Sequence, residues 1–354
     1  MSVYTWWQSR FSARTRKASK QRSAPQKSVW KWYKPQLEKL EDRLAPAIAS
    51  LSDGVLTIDY TATGSDAESV EVSSDGIDIT LAGEVTGTTS YAVGTVSKIV
   101  VLDTGESTNQ VLTFSGTETF TLSQGLESTG VETVTINQAI NVTGESALSI
   151  TAPKNIQVNA GLSTESGDLT LAANQDVTAF SGSFVGIDVN AATIASNKGK
   201  ITLEGRGGDT DNWQHGVSIQ NGAVVGFGTT GAVTIEGTGG ASNGVNNQGV
   251  YVNGTSSQIT SGGGNVSVTG TGSGSSDYNF GVSVSGGGEI TAGGDGTVTV
   301  VGAGGNTAGD SEWGRNHGVD VSGGDSRITS SGGDVSVTGT GGGPDGSSDN
   351  FGVS

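Results

Sequence analysis

The chain has 354 residues, with 59 glycines, no cysteine and 33% hydrophobic side chains, which excludes disulfides and thiolate sites and argues against one thick globular core. Residues 1–50 carry 11 Lys+Arg against 3 Asp+Glu, while the remainder carries 7 against 32. So acidic a body repels phosphate backbones, so no nucleic-acid partner is expected, and no run of about 18 apolar residues is present to form a membrane-spanning helix.

Residues 1–49 read as a basic, aromatic-rich leader ("YTWWQSR", "SVWKWYK") that is disordered or partly helical. Leu37, Leu40 and Leu44 fall at helical spacing behind Pro35. Within it, Leu37-Glu38-Lys39-Leu40-Glu41-Asp42-Arg43-Leu44-Ala45 resembles the L-E-x-L-E-x-R-x-L motif near the N-terminus of large exported planctomycete surface proteins. The match spans about ten residues and departs from the family at "LAPA", where an apolar end is usual. The resemblance implies an extracellular or cell-surface location. The leader lacks the 7–15-residue apolar core of an ordinary secretory signal, but it offers A-x-A-like sites ending at Ala47 and Ala49, so processing is expected to give a mature N-terminus between Ala45 and Ser52.

Residues 50–138 contain irregular strand patterns ("GVLTIDYT", "GIDITLAG", "KIVVL", "VETVTI") and are expected to form an N-terminal cap. Residues 139–354 are repetitive. Marker glycines Gly186, Gly216, Gly249, Gly281, Gly318 and Gly352 recur at a period near 33, the signature of a solenoid. Each unit reads as three short strands, G-V-x-V, x-I-T and G-x-V-x-V-x-G, separated by glycine corners. In the clearest unit Val282, Val284, Ile290, Val298 and Val300 fall on one face by alternation. Hairpins and sandwiches would join strand pairs by two-residue turns; three strands repeating in fixed order instead predict an all-β parallel β-helix, each strand about 4.8 Å above its equivalent. The stretches "SGDLTLAANQDVTA" and "GGDVSVTGTGG" resemble the repeats of filamentous-haemagglutinin-type adhesins, which implies right-handed coils. The last residues, "NFGVS", supply only the first strand of a further unit, so the chain is expected to be a fragment of a longer solenoid that self-associates through an open end.

Between the third strand and the next G-V run lie five variable loops, residues 205–215, 237–248, 270–280, 302–317 and 339–351, expected to stack along one face. They carry the ligand-contact candidates Trp213, His215, Tyr278, Trp313 and His317, rings that could stack on sugar faces, with Phe280 and Phe351 expected as buried plugs. No cofactor is expected, although the pairs Asp209/Asp211 and Asp310/Glu312 are weak calcium candidates; solvated acidic loops are the plainer reading. "GASNG" around Ser242 matches G-x-S-x-G without the strand-turn-helix context of a nucleophile elbow, and "GGDGTVTVV" carries Val298 where a calcium-binding nonapeptide needs Asp. No catalytic residue is assigned. The expectation is a secreted or cell-surface, adhesin-like structural protein whose partner is a polysaccharide or cell-surface ligand. The alternatives are a polysaccharide lyase or glycoside hydrolase of β-helix fold, and a passive spacer.

Overall fold

The computed structural model describes residues 46–354 apart from 62, 65, 66, 306–313 and 344–348. Three long sheets, of 12, 11 and 8 strands, account for nearly all of it. Strands adjacent within a sheet come from successive turns of the chain and run parallel: Ile201–Arg206 pairs with Val233–Thr238, which pairs with Val266–Thr271, each in continuous register. One turn visits the first, second and third sheet in order, so the body is a parallel β-solenoid, as the three-strand repeat predicts.

The alternating pattern decides which side chains face in. Val282, Val284, Ile290, Val298 and Val300 are all fully buried, and the same positions in the coils above and below extend one apolar core down the axis. A buried Val or Ile contributes about 1.5–3 kcal/mol, too little per coil to order some thirty residues alone. Stacking supplies the remaining ladder bonds and contacts.

The parallel ladder starts earlier than the expected boundary at residue 138. Val55–Tyr60 pairs in parallel with Lys98–Asp103, and that strand with Gly125–Thr129. The 33-residue period hides these coils because they are shorter: Leu126 pairs with Leu148 and Leu148 with Leu169, steps of 22 and 21 residues, whereas Leu169 to Ile201 and Ile201 to Val233 are steps of 32. The difference lies at one corner. Only Pro153 and Lys154 join Ala152 to Asn155 between the first and second sheets, but residues 174–186 join Ala173 to Ile187 one coil later.

The cap occupies about residues 47–96. Ala47–Ser52 lies antiparallel on Val55–Tyr60, and Asp78–Gly83 antiparallel on Ser69–Ser74; the outermost strands, Val85–Gly87 and Ser90–Ala92, have only three residues each. Ala47 and Ala49 are buried in that first strand. A cut after Ala47 would leave the antiparallel pairing of Ile48 to Ser52 whole, and a cut after Ala49 would remove two of its five paired residues.

Candidate functional site

The described parts of the five variable loops stack, as their common spacing predicts, and a ladder inside them holds the stack. The backbone N–H of Gln214 donates to Asn247 Oδ1 at 2.9 Å, Asn247 to Asn279 Oδ1 at 2.8 Å, Asn279 to Asn316 Oδ1 at 2.8 Å, and Asn316 to Asn350 Oδ1 at 2.8 Å. Asn247, Asn279 and Asn316 are fully buried. Asn279 Nδ2 donates to the Ser276 carbonyl and Asn247 Nδ2 to Ser242 Oγ, whereas Asn316 Nδ2 finds no partner among the described residues. These asparagines are therefore interior braces rather than surface donors. Ser242 belongs to the brace: its hydroxyl donates to the Asp211 carbonyl and accepts from Gly244 N–H.

Each ladder residue is preceded by one that turns outward. By register these are Trp213, Asn246, Tyr278, Arg315 and Asp349. Trp213, Asn246, Tyr278 and Asp349 all adopt left-handed backbone, with φ between 60 and 68°. Asn and Asp tolerate that conformation; for a bulky aromatic it costs on the order of 1–2 kcal/mol. Trp213 and Tyr278 are nevertheless exposed, at 53% and 38%. They stand two coils apart, about 10 Å at the strand spacing. The Arg315 guanidinium lies 5.8 Å from the Tyr278 ring centroid. Trp313 lies outside the described residues, and the register gives its expected place in this column to Arg315, two positions later.

The histidines do not share that surface. His215 and His317 stand one residue past the ladder and are 4% and 6% exposed. The His215 ring stacks on Tyr251 at 4.7 Å; the Phe280 ring stacks on His317 at 5.1 Å, and His317 on Phe351 at 5.3 Å. Together they form a ring column over the outer face of the second sheet; Phe280 is the expected plug, but Phe351, also expected to be buried, is half exposed because no described coil lies over it. His317 Nδ1 accepts from Phe351 N–H at 3.1 Å, which requires a neutral ring. Burial holds both histidines below their usual range, His215 down to about 3.

Of the calcium candidates, Asp209 is engaged. Asp209 accepts from Ser181 Oγ and Gly182 N–H of the previous loop, and those bonds hold its carboxyl below the usual range. Asp211 is exposed, Asp310 and Glu312 lie outside the described residues, and among the described residues no three His, Asp or Glu converge. The open groove between Ala241–Asn243 and Ser273–Ser275, about 420 Å³, is lined by small uncharged residues.

Sequence spacing missed the asparagine ladder as a scaffold, although N-x-G-V or N-G-V-like endings ("NHGV", "NFGV") repeat visibly. The fold and these loops define a class, a loop-bearing parallel β-solenoid. No protein-family model matches the chain, and no curated protein or solved structure matches it either.

Proposed function

We propose that this is an exported, non-catalytic, adhesin-like surface protein, coiled right-handedly like the repeats it resembles, whose loop column binds an extended β-linked polysaccharide. The observation that carries the reading is the pair Trp213 and Tyr278. Both rings are held outward by backbone that Asn or Asp would adopt more cheaply, and strain kept at exposed positions points to use. Their separation of about 10 Å suits sugar faces presented every second residue of a stiff chain, and Asn246 and Arg315 supply hydrogen-bond donors beside them. The basic leader and its motif support export. The engaged state of Asp209, His215 and Ser242 favours binding over catalysis.

The test replaces Trp213 and Tyr278 by Asn, the residue already found at 246. Pull-down on insoluble β-linked glucans and on chitin should fall at least about tenfold in the double variant, while the melting temperature stays unchanged or rises. A falling melting temperature with no binding to lose would assign the rings to structure. Release of reducing ends or unsaturated products by the wild-type protein would favour the enzyme reading instead.

A further inference from the structure

A cleft of about 350 Å³ lies away from the loop column, where the solenoid changes coil length. In the two coils just upstream, corners of three and two residues place no long loop over the outer face of the second sheet. The first long loop, residues 174–186, then rises as a step over that face. Thr133, Asn155 and Gln157 form the floor, Phe184 the wall, and Lys154 and Asp188 the two charged ends.

The wall is built rather than slack. Asn174 is fully buried and its Oδ1 accepts from Phe180 N–H at 2.6 Å; Phe184 N–H donates to Gln214 Oε1; the Phe184 carbonyl accepts from Gly208 N–H at 2.9 Å; and Asp209 ties Ser181 and Gly182 to the following loop. The floor is equally fixed, with Thr133 Oγ1 donating to Asn155 Oδ1 at 2.9 Å. The Lys154 ammonium sits 5.6 Å from the Phe180 centroid and 5.9 Å from that of Phe184, and among the described residues it pairs with no carboxylate. In a body with seven cations against 32 acids, an unpaired ammonium held at the mouth of a rigid polar cleft is a specific feature. Asp188 accepts from Gln220 Nε2 at 3.0 Å, with the Ser218 hydroxyl as a second neighbour, and the remaining lone pairs of its carboxylate face the cleft that it lines.

We infer that this step cleft binds a single sugar residue bearing a carboxylate, a hexuronate, with Lys154 pairing the carboxylate, Phe184 covering a C–H face, and Gln157 and Asp188 taking hydroxyls. The volume fits a monosaccharide-sized ligand. The inference is independent of the loop column: it uses other residues and another class of sugar. Burial raises the Asp188 carboxyl above its usual range.

Calorimetric titration of the full chain with a uronic-acid trisaccharide and with its neutral hexose counterpart tests this. The expected result is millimolar or tighter binding of the uronate and at least about tenfold weaker binding of the neutral sugar, the discrimination of one charge-assisted contact. Lys154→Met, which keeps the stem packed on the rings, should reduce uronate affinity to the neutral level with an unchanged melting temperature, and Lys154→Arg should restore it. Equal binding of both sugars, no effect of Lys154→Met, or no uronate binding at roughly 10 mM would overturn the inference.

Discussion

At the residue scale, the asparagine ladder and the glycines next to it set the loop geometry, and each makes a prediction. Asn279→Ala would leave the buried N–H of Asn247 without its acceptor, and an orphaned buried donor costs about 1–3 kcal/mol; urea unfolding should show a loss of that size. A Cβ built on Gly270 would lie 2.1 Å from the Gly281 carbonyl oxygen of the next strand. That oxygen is backbone and cannot swing aside, so Gly270→Ala should cost about 1–3 kcal/mol in the same assay. His215 makes a pH prediction. Its folded pKa is about 3 against 6.5 ordinarily, so the unfolded chain takes up the proton first as pH falls. Stability is therefore full above pH 6.5 and declines below it, at up to about 1.4 kcal/mol per pH unit for this group. Unfolding midpoints at pH 7 and pH 4.5 should differ in that direction, and His215→Phe, which places there the residue found at 280, should flatten the slope.

At the element scale, the body consists of one corner that varies and two that do not. The corner from third to first sheet is held by hydroxyls: Thr164 Oγ1 donates to the Gly167 carbonyl, Thr229 Oγ1 to that of Gly199, and Ser330 Oγ to that of Gly296. On the outer face of the third sheet, Arg327 grips Glu289 with two bonds of 2.8 and 2.9 Å, and Gln258 adds a third. The first-to-second corner can be two residues or more than ten without disturbing the register of the strands it joins. Replacing residues 174–185 by the Pro-Lys of the preceding coil should therefore preserve the strand signature in far-UV circular dichroism. The bonds lost from Asp209 should lower stability by about 1–3 kcal/mol, and the step cleft should disappear with its ligand. Collapse of the strand signal would show that the long loop is part of the coil rather than an insertion on it.

At the scale of the whole molecule, the two ends differ. The N-terminal end finishes in strands of only three residues, one parallel and one antiparallel to its neighbour, and short edge strands blunt an edge; the rings beneath it, such as Phe120, are buried. At the other end Val335–Thr340 presents a six-residue edge with no charge in it, and Val335, Phe351 and Val353 are about half exposed. We propose that the 354-residue chain associates through this end. Contact between two copies of this edge is between like faces and closes at a dimer rather than growing into a fibre. Sedimentation velocity should show a concentration-dependent monomer–dimer equilibrium that Val337→Lys abolishes. A concentration-independent monomer, or growth beyond the dimer, would sink the idea.

How much was legible without coordinates depends on whether the information is local. Alternating Val and Ile with glycine corners determined the three strands, their inward faces and their stacking, because period-2 burial leaves a mark on every unit. The same regularity misplaced the start of the solenoid, since a period search follows loop length and the 22-residue coils share strands, not loops, with the later ones. The rings of Trp213, His215, Tyr278 and His317 were legible as a loop feature, but composition does not tell a ring that points out from one that points in. That was decided by the tertiary structure. Register sends 213 and 278 outward on left-handed backbone and turns 215 and 317 onto the second sheet, while Asn279 and Asn316, which look like surface donors in sequence, close a ladder whose partners lie 32 to 37 residues away. The step cleft was invisible for the same reason: Lys154 and Phe184 belong to different coils, and only stacking brings a short corner beneath a long one.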